Sequence, residues 1–199
     1  MTSGPTPCGV GFFMECSMRY RLAPVSAVFL CLLFVSSCAG VPSDRHAQIG
    51  MEIRILDEAQ VAAYGEPLVN PFIARKLLSE RETNAFAVCE LKLPPMKRTS
   101  VRLVSAEYLD GEGNPVARYL PYDEFVFYWD VRYLFEEQTK KRDAIMNRHY
   151  LHRSEFNYAS RTGHEYILVF IGKDPLPADG SARVVLAIDG AEAVIEGKR

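Results

Sequence analysis

The chain has 199 residues, of which 48% are hydrophobic and 24% charged, with 23 basic against 25 acidic side chains. This composition is typical of a globular protein, and the length allows one domain of ordinary size plus a targeting segment. The near-balance of charge argues against a nucleic-acid-binding protein, which would show a basic patch or stripe.

The N-terminal segment has the order of a secretory signal peptide. A basic patch at 18–21 is followed by the uncharged run 22–35 and by two small residues. The run has about 14 residues, whereas a permanent membrane helix needs about 20. Residues 1–17 precede the basic patch, either because the start codon is assigned too early or because the signal has a long leading region. We favour the first explanation, with Met18 as the true start.

The signal ends in Val35-Ser36-Ser37-Cys38, which resembles the lipobox of bacterial lipoproteins. The resemblance implies a diacylglycerol on the sulfur of Cys38, cleavage just before it and acylation of the new amino terminus. Val35 and Ser37 depart from the commonest residues, Leu and Gly or Ala, within the relaxed pattern. Two or three acyl chains are enough for stable anchoring. The next residue is Ala39 rather than the Asp that retains enteric lipoproteins in the inner membrane, which favours the outer membrane.

Three segments follow from this interpretation: a leader and signal peptide at 1–37, a lipidated tether at 38–50 and a single domain at 51–199. Cleavage would remove three cysteines, and the lipid would occupy Cys38, so the mature domain keeps only Cys89. No internal disulfide is therefore expected. Cys89 ends the apolar run 85–89, which indicates a buried, inert thiol rather than a nucleophile.

The domain is predicted to be mainly β. Period-two alternation, β-prone residues and turn signals predict strands at 51–56, 84–93, 99–109, 116–120, 125–129, 131–135, 164–171, 183–188 and 193–196. Hairpin turns are predicted at 110–114 and 189–190, and helical segments at 57–64, 74–81 (a short helix or an irregular edge) and 136–151. Short strands at this spacing predict a single β-sandwich with one inserted helix around 136–151, for which an immunoglobulin-like topology is one option.

Few side chains in the sequence form a recognisable catalytic or metal-binding pattern. His149, His152 and His164 could bind a metal with Glu155 or Glu165, but H-x-x-H lacks the glutamate of the specific zinc motif, and a solvated surface explains these histidines more simply.

Asp123 and Glu124 precede an aromatic run and could form a sugar site. Adjacent strand residues point to opposite faces, so we favour core packing for this run with one acid in solvent. No nucleophile, P-loop or dinucleotide motif is present, and we expect neither catalysis, nor a cofactor, nor a metal.

The long connection 136–163 concentrates basic side chains: Lys140, Lys141, Arg142, Arg148, His149, His152, Arg153 and Arg161. They could face acidic partners or anionic lipid, although a solvated helix whose basic end complements its own dipole is the favoured explanation. Reversal of Lys140, Lys141, Arg142 and Arg148 to Glu is expected to leave the fold intact.

The sequence thus predicts a lipid-anchored cell-envelope protein that acts as a binding or assembly module. Its partners would be membrane lipid, through the acylated Cys38, and another envelope protein, with no nucleic acid. One alternative is a small periplasmic enzyme or metal-binding protein that uses the His149/His152/His164 region. Another is a surface-exposed adhesin.

Overall fold

The computed structural model describes residues 50–75, 84–132 and 135–198. The signal peptide, the lipobox and nearly all of the tether lie outside these residues, as does most of the segment 74–81. Within the described residues, no helix combines the length and apolarity needed to span a membrane.

Eight strands form one antiparallel sheet in the order β1-β2-β6-β4-β3-β7-β8, with β5 paired to β3. Their bounds are β1 Glu52–Ile55, β2 Asn84–Leu93, β3 Met96–Leu109, β4 Pro115–Tyr119, β5 Glu155–Ser160, β6 His164–Lys173, β7 Ser181–Ile188 and β8 Ala191–Lys198. The mainly β class is confirmed.

Turn chemistry sets the register of the hairpins. Between β3 and β4, the Asp110 carboxylate accepts hydrogen bonds from the backbone N–H groups of Glu112 and Asn114, and Gly113 has a φ of 88°. Between β7 and β8, Asp189 and Gly190 both have positive φ, as a tight two-residue hairpin requires. Both predicted turns are confirmed.

The sheet curls until its two edge strands touch. A side chain at Gly197 on β8 would place its Cβ 2.2 Å from the carbonyl oxygen of Ile53 on β1. One apolar cluster, here called the inner core, lies inside the curl and takes side chains from all eight strands, Cys89, Leu168 and Val184 among them. Both halves of the sheet therefore pack against one core.

Three helices cover the outer face of β2 and β6: α1 Glu58–Ala62, α2 Tyr122–Asp130 and α3 Glu136–His149. A second cluster, here called the outer core, lies between them and the sheet and includes Val88, Val169, Phe125, Trp129 and Met146. The helix predicted at 136–151 is confirmed as α3, and the helical turn predicted at 57–64 as α1.

The strand predicted at 125–129 is wrong, because these residues belong to α2. In a strand, Phe125, Phe127 and Trp129 would share one face. In the structure Phe125 and Trp129 are fully buried, whereas Phe127 is 69% exposed, which is the spacing of one helical face. The strand predicted at 131–135 is also absent from its described residues, since 131–132 form a turn and 135 precedes α3.

The connection 136–163 is not one inserted helix with a long loop, because it also contains β5. Its Phe156 and Tyr158 pack on the inner core, while β5 pairs with the first half of β3. The described residues therefore contain three helices, whereas the predicted sandwich had one inserted helix. All eight strands belong to one sheet, and a two-sheet sandwich or an immunoglobulin-like fold is not confirmed.

Candidate functional site

The helix-covered face of the sheet changes from apolar to charged along its strands. On β2 the side chains that face the helices run from Phe86 and Val88 to Glu90 and Lys92. On the paired strand β6, the apolar Val169 and Ile167 are followed by Glu165. Likewise Leu56, directly after β1, gives way to Arg54 within β1. One end of this face is thus apolar and covered, and the other is charged and open.

The strands pair their charges at the open end. Arg54 lies opposite Glu90 in the register of β1 and β2, and its Nη2 is 3.0 Å from Glu90 Oε1. Lys92 lies opposite Glu165 in the register of β2 and β6, with 4.0 Å between Nζ and Oε1. These contacts hold the two carboxylates on the sheet surface.

Helix ends and a turn complete a recess above these strands. Tyr64 follows α1, Arg148 and His149 form the last turn of α3, and the turn between β5 and β6 leads to His164. We call this recess, of about 500 Å³, the strand-end groove. It is lined by Tyr64, Lys92, Arg148, His149, Thr162, Gly163, His164, Glu165 and Ile167.

A second recess of similar volume adjoins the strand-end groove. Tyr64, Arg148 and His149 line both recesses. The second is otherwise lined by Arg54, Leu56, Gln60, Ala63 and Glu90. The two recesses together form an open polar surface at the end of the helix layer.

Tyr64 is anchored between aromatic neighbours. Its ring meets the His149 ring edge to face at a centroid distance of 5.0 Å and the Phe72 ring at 5.2 Å. Its hydroxyl donates a long hydrogen bond of 3.5 Å to Glu90. Burial, followed by the charge of Glu90, raises the pKa of Tyr64 to about 12. Tyr64 is therefore a protonated donor at neutral pH rather than a base.

His149 lies in a positive environment. Burial lowers its pKa, and the nearby charges of Arg148 and His164 lower the pKa further. His149 is therefore neutral at neutral pH and can donate or accept a hydrogen bond. The lining contains threonine but neither serine nor cysteine, so this arrangement is suited to holding a polar ligand.

The structure does not bring the three predicted histidines together. His149 and His164 share the strand-end groove, whereas His152 lies in a separate recess with Glu155. The His152 ring stacks on Tyr122 at 4.1 Å, and its Nε2 is 3.1 Å from the carbonyl oxygen of Asn147. Within residues 50–75, 84–132 and 135–198, no group of three or more His, Cys, Asp or Glu side chains is placed to hold a metal ion.

The acidic pair before the aromatic run lies in the first turn of α2, not in a strand. Glu124 forms an ion pair with Arg118 at 2.7 Å, and Asp123 lines the recess that contains His152. The argument that adjacent strand residues face opposite ways therefore does not apply. Phe125 and Trp129 pack in the outer core.

The basic residues of α3 are largely neutralised within the helix. Lys140 and Lys141 form ion pairs with acids one turn earlier, at 2.7 and 3.0 Å. The Arg142 side chain is buried, with its Nη2 2.6 Å from Asp143 and 3.2 Å from Asp130. Charge reversal at Arg142 is therefore not the neutral change expected from the sequence, and only the last turn of α3 brings its charge to the groove.

The thiol of Cys89 is fully buried in β2, on the inner-core side, and burial raises its pKa. A neutral, inaccessible thiol is a weak nucleophile. Cys89 is thus a core side chain, as its apolar neighbours in the sequence indicate.

The sequence interpretation missed the contributions of Arg54, Tyr64, Glu90 and Lys92. One signal was present in β2. Its residues Phe86–Cys89 are apolar on both faces of the strand, whereas from Glu90 onward one face carries the charged Glu90 and Lys92 and the other stays apolar. That switch marks the point at which one face of the strand leaves the core. The sequence offered no comparable signal for Tyr64, because its position depends on where α1 packs.

Comparison with known proteins gives little further information. No protein-family model matches the chain, and no curated protein matches it. Among solved structures, it is similar to the crystal structure of a FixG-related protein from Vibrio parahaemolyticus, with a TM-score of 0.32 and 10% identity over 75% of this chain and 91% of that chain. A likeness this low carries no argument about function.

Proposed function

We propose that the protein is a lipid-anchored component of the bacterial cell envelope and that its domain binds an envelope partner through the strand-end groove. The order of basic, apolar and small residues ending at Cys38 supports the anchor. Ala39 after the lipidated cysteine favours the outer membrane over the inner one.

The observation that carries the binding role is the open groove itself. Its walls come from the turn after α1, from α3, β2 and β6, and from the turn before β6, so the fold holds these side chains in place from several directions. Binding sites are commonly concave, with a few polar groups that fix the ligand on a rigid framework. The volume of about 500 Å³ fits a small ligand or a short segment of a partner.

Binding is favoured over catalysis by the chemistry of the lining. Tyr64 keeps its proton at neutral pH, and the described lining offers no activated nucleophile. The enzyme alternative built on three histidines loses His152, which lies in another recess. We also propose a sandwich-like architecture for the domain. It is supported by the inner core, which takes side chains from both halves of the one sheet, as the core between two packed sheets would.

Acyl labelling tests the anchor. Labelled fatty acid should enter the wild-type protein, and Cys38→Ala should abolish the labelling and release the protein from membranes. Cys31→Ala is the matched control, since it removes a thiol from the apolar run and should keep the label. Persistent labelling of Cys38→Ala would contradict the lipid attachment.

Site-specific crosslinking tests the binding role independently. A photoreactive amino acid at position 164, in the groove, should give a discrete crosslinked species in intact cells, and Arg148→Glu should remove it. The same amino acid at position 194, which is exposed on β8, serves as the control. Equal products from both positions would place the contact elsewhere on the domain.

A further inference from the structure

The strand-end groove gathers hydrogen-bond donors from several elements of the fold. We propose that the groove binds the phosphate group of its ligand, with Arg148, His149 and His164 as the main donors. This inference deepens the proposed function, because it names the chemistry of the groove's ligand, but it does not require the lipid anchor. Three features of the groove support it.

The first feature is that Arg148 differs from the other cations of α3. Lys140, Lys141 and Arg142 each have a carboxylate within 3.0 Å. Among the residues that the structure describes, Arg148 has none within 4.0 Å, and its exposed side chain lines both recesses. A guanidinium in this position can bind an anion bidentately.

The second feature is the positive environment of His149. Burial lowers the pKa of His149, and the charges of Arg148 and His164 lower that pKa further. A bound anion would offset these charges and accept hydrogen bonds from both imidazoles. The two nearby carboxylates do not cancel the effect, because Glu90 is held by Arg54 and Glu165 by Lys92.

The third feature is the number and spread of donors. A guanidinium, two imidazoles and the Thr162 hydroxyl come from α3, β6 and the turn before β6. A phosphate presents three or four oxygens in three dimensions and can use such a set, whereas a planar carboxylate matches a single guanidinium. The groove also has room for the organic part of a phosphate ester.

Calorimetric titration with inorganic phosphate tests the proposal on the full chain, purified as the cell processes it. Saturable binding is expected, and Arg148→Gln should weaken it about tenfold, the loss expected when one charge-assisted hydrogen bond disappears. His164→Asn, which removes an exposed imidazole, should weaken it less. Arg153→Gln is the matched control, because Arg153 is an exposed cation that lines a different recess.

The imidazole resonances of His149 and His164 should move with the same saturation as the heat. Absence of saturable binding, or equal weakening by Arg148→Gln and Arg153→Gln, would overturn the proposal, since the second result describes general attraction to a basic surface. Tighter binding of acetate or malonate than of phosphate would also overturn it.

The source of the phosphate is distinguished by two monomeric probes. Glycerol phosphate represents a soluble ester, and a short-chain phosphatidic acid below its micellar concentration represents a lipid headgroup. Stronger binding of either one supports the site and identifies its source. Loss of phosphate binding with intact crosslinking at position 164 would overturn this inference alone, whereas phosphate binding without any crosslinked partner would overturn only the assembly role.

Discussion

The two ends of the helix-covered face use the same strands in opposite ways. At the apolar end, Phe86 and Val88 of β2 meet the aromatic side chains of α2, and the interface is closed. At the charged end, Glu90 and Lys92 of the same strand lie beyond the ends of α1 and α3, and the surface is open. The helices are shorter than the sheet they cover, so one interface both stabilises the domain and leaves a recess.

The closed end should dominate the stability. Phe125 stacks on Tyr150 at a centroid distance of 4.7 Å, and the Trp129 indole N–H donates to the Pro71 carbonyl at 3.0 Å. The Tyr150 hydroxyl donates to the carbonyl of Leu120 inside the same cluster. The ion pairs at the open end join side chains that are mostly half exposed, and such pairs contribute about 0–1 kcal/mol each.

The largest expected effect is at Trp129. Trp129→Ala should lower the free energy of unfolding by about 3–5 kcal/mol, because it leaves a large cavity in the outer core and removes the hydrogen bond to Pro71. Urea denaturation of both proteins measures the difference. Phe127→Ala on the same helix is the matched control and should change stability by less than about 0.5 kcal/mol, since Phe127 is 69% exposed. Similar losses in both variants would contradict the burial pattern of α2.

A smaller effect is expected at Arg142. Its side chain is 1% exposed and contacts Asp130 and Asp143, which are themselves about half exposed. Arg142→Gln should cost about 1–3 kcal/mol, the range for lost hydrogen bonds to charged groups, because water can solvate the two acids afterwards. Lys140→Gln, whose side chain is 74% exposed, should cost only tenths of a kcal/mol. Thermal unfolding distinguishes the two, and an equal effect would show that Arg142 is not buried.

The smallest effect belongs to the open end and depends on pH. The pKa of His149 is lowered from 6.5 by burial and by the charges of Arg148 and His164, so the folded protein binds this proton less readily than the unfolded chain. The stability should therefore decrease as the pH falls below 6.5, and level off below the folded pKa.

His149→Gln should flatten that part of the stability curve. Urea denaturation at several pH values above and below 6.5 measures the difference between the two proteins. The contact with Tyr64 is lost at every pH and adds only a constant offset. Parallel curves would show that His149 has the same pKa in the folded and unfolded states.

The local sequence pattern was sufficient to predict an element where the signals from neighbouring residues agree. The bounds of β2 were predicted to the residue, and those of β3, β6 and α3 within about three residues, because alternation, turn residues and helix formers agree there. The local pattern gave the wrong element in the aromatic segment at 125–129, which belongs to α2. Its β-prone residues favour a strand, yet burying Phe125, Tyr128 and Trp129 against the sheet requires helical spacing, and packing outweighed propensity.

The sequence by itself determined the β class, both hairpins and the burial of Cys89, since these depend on periods and turn residues that neighbours in the chain specify. Only the tertiary structure decided that His149 and His164 line one groove with Tyr64 and Lys92, while His152 lines another recess. These side chains come from elements far apart in the chain, and their meeting depends on where helices of given lengths end on a curled sheet.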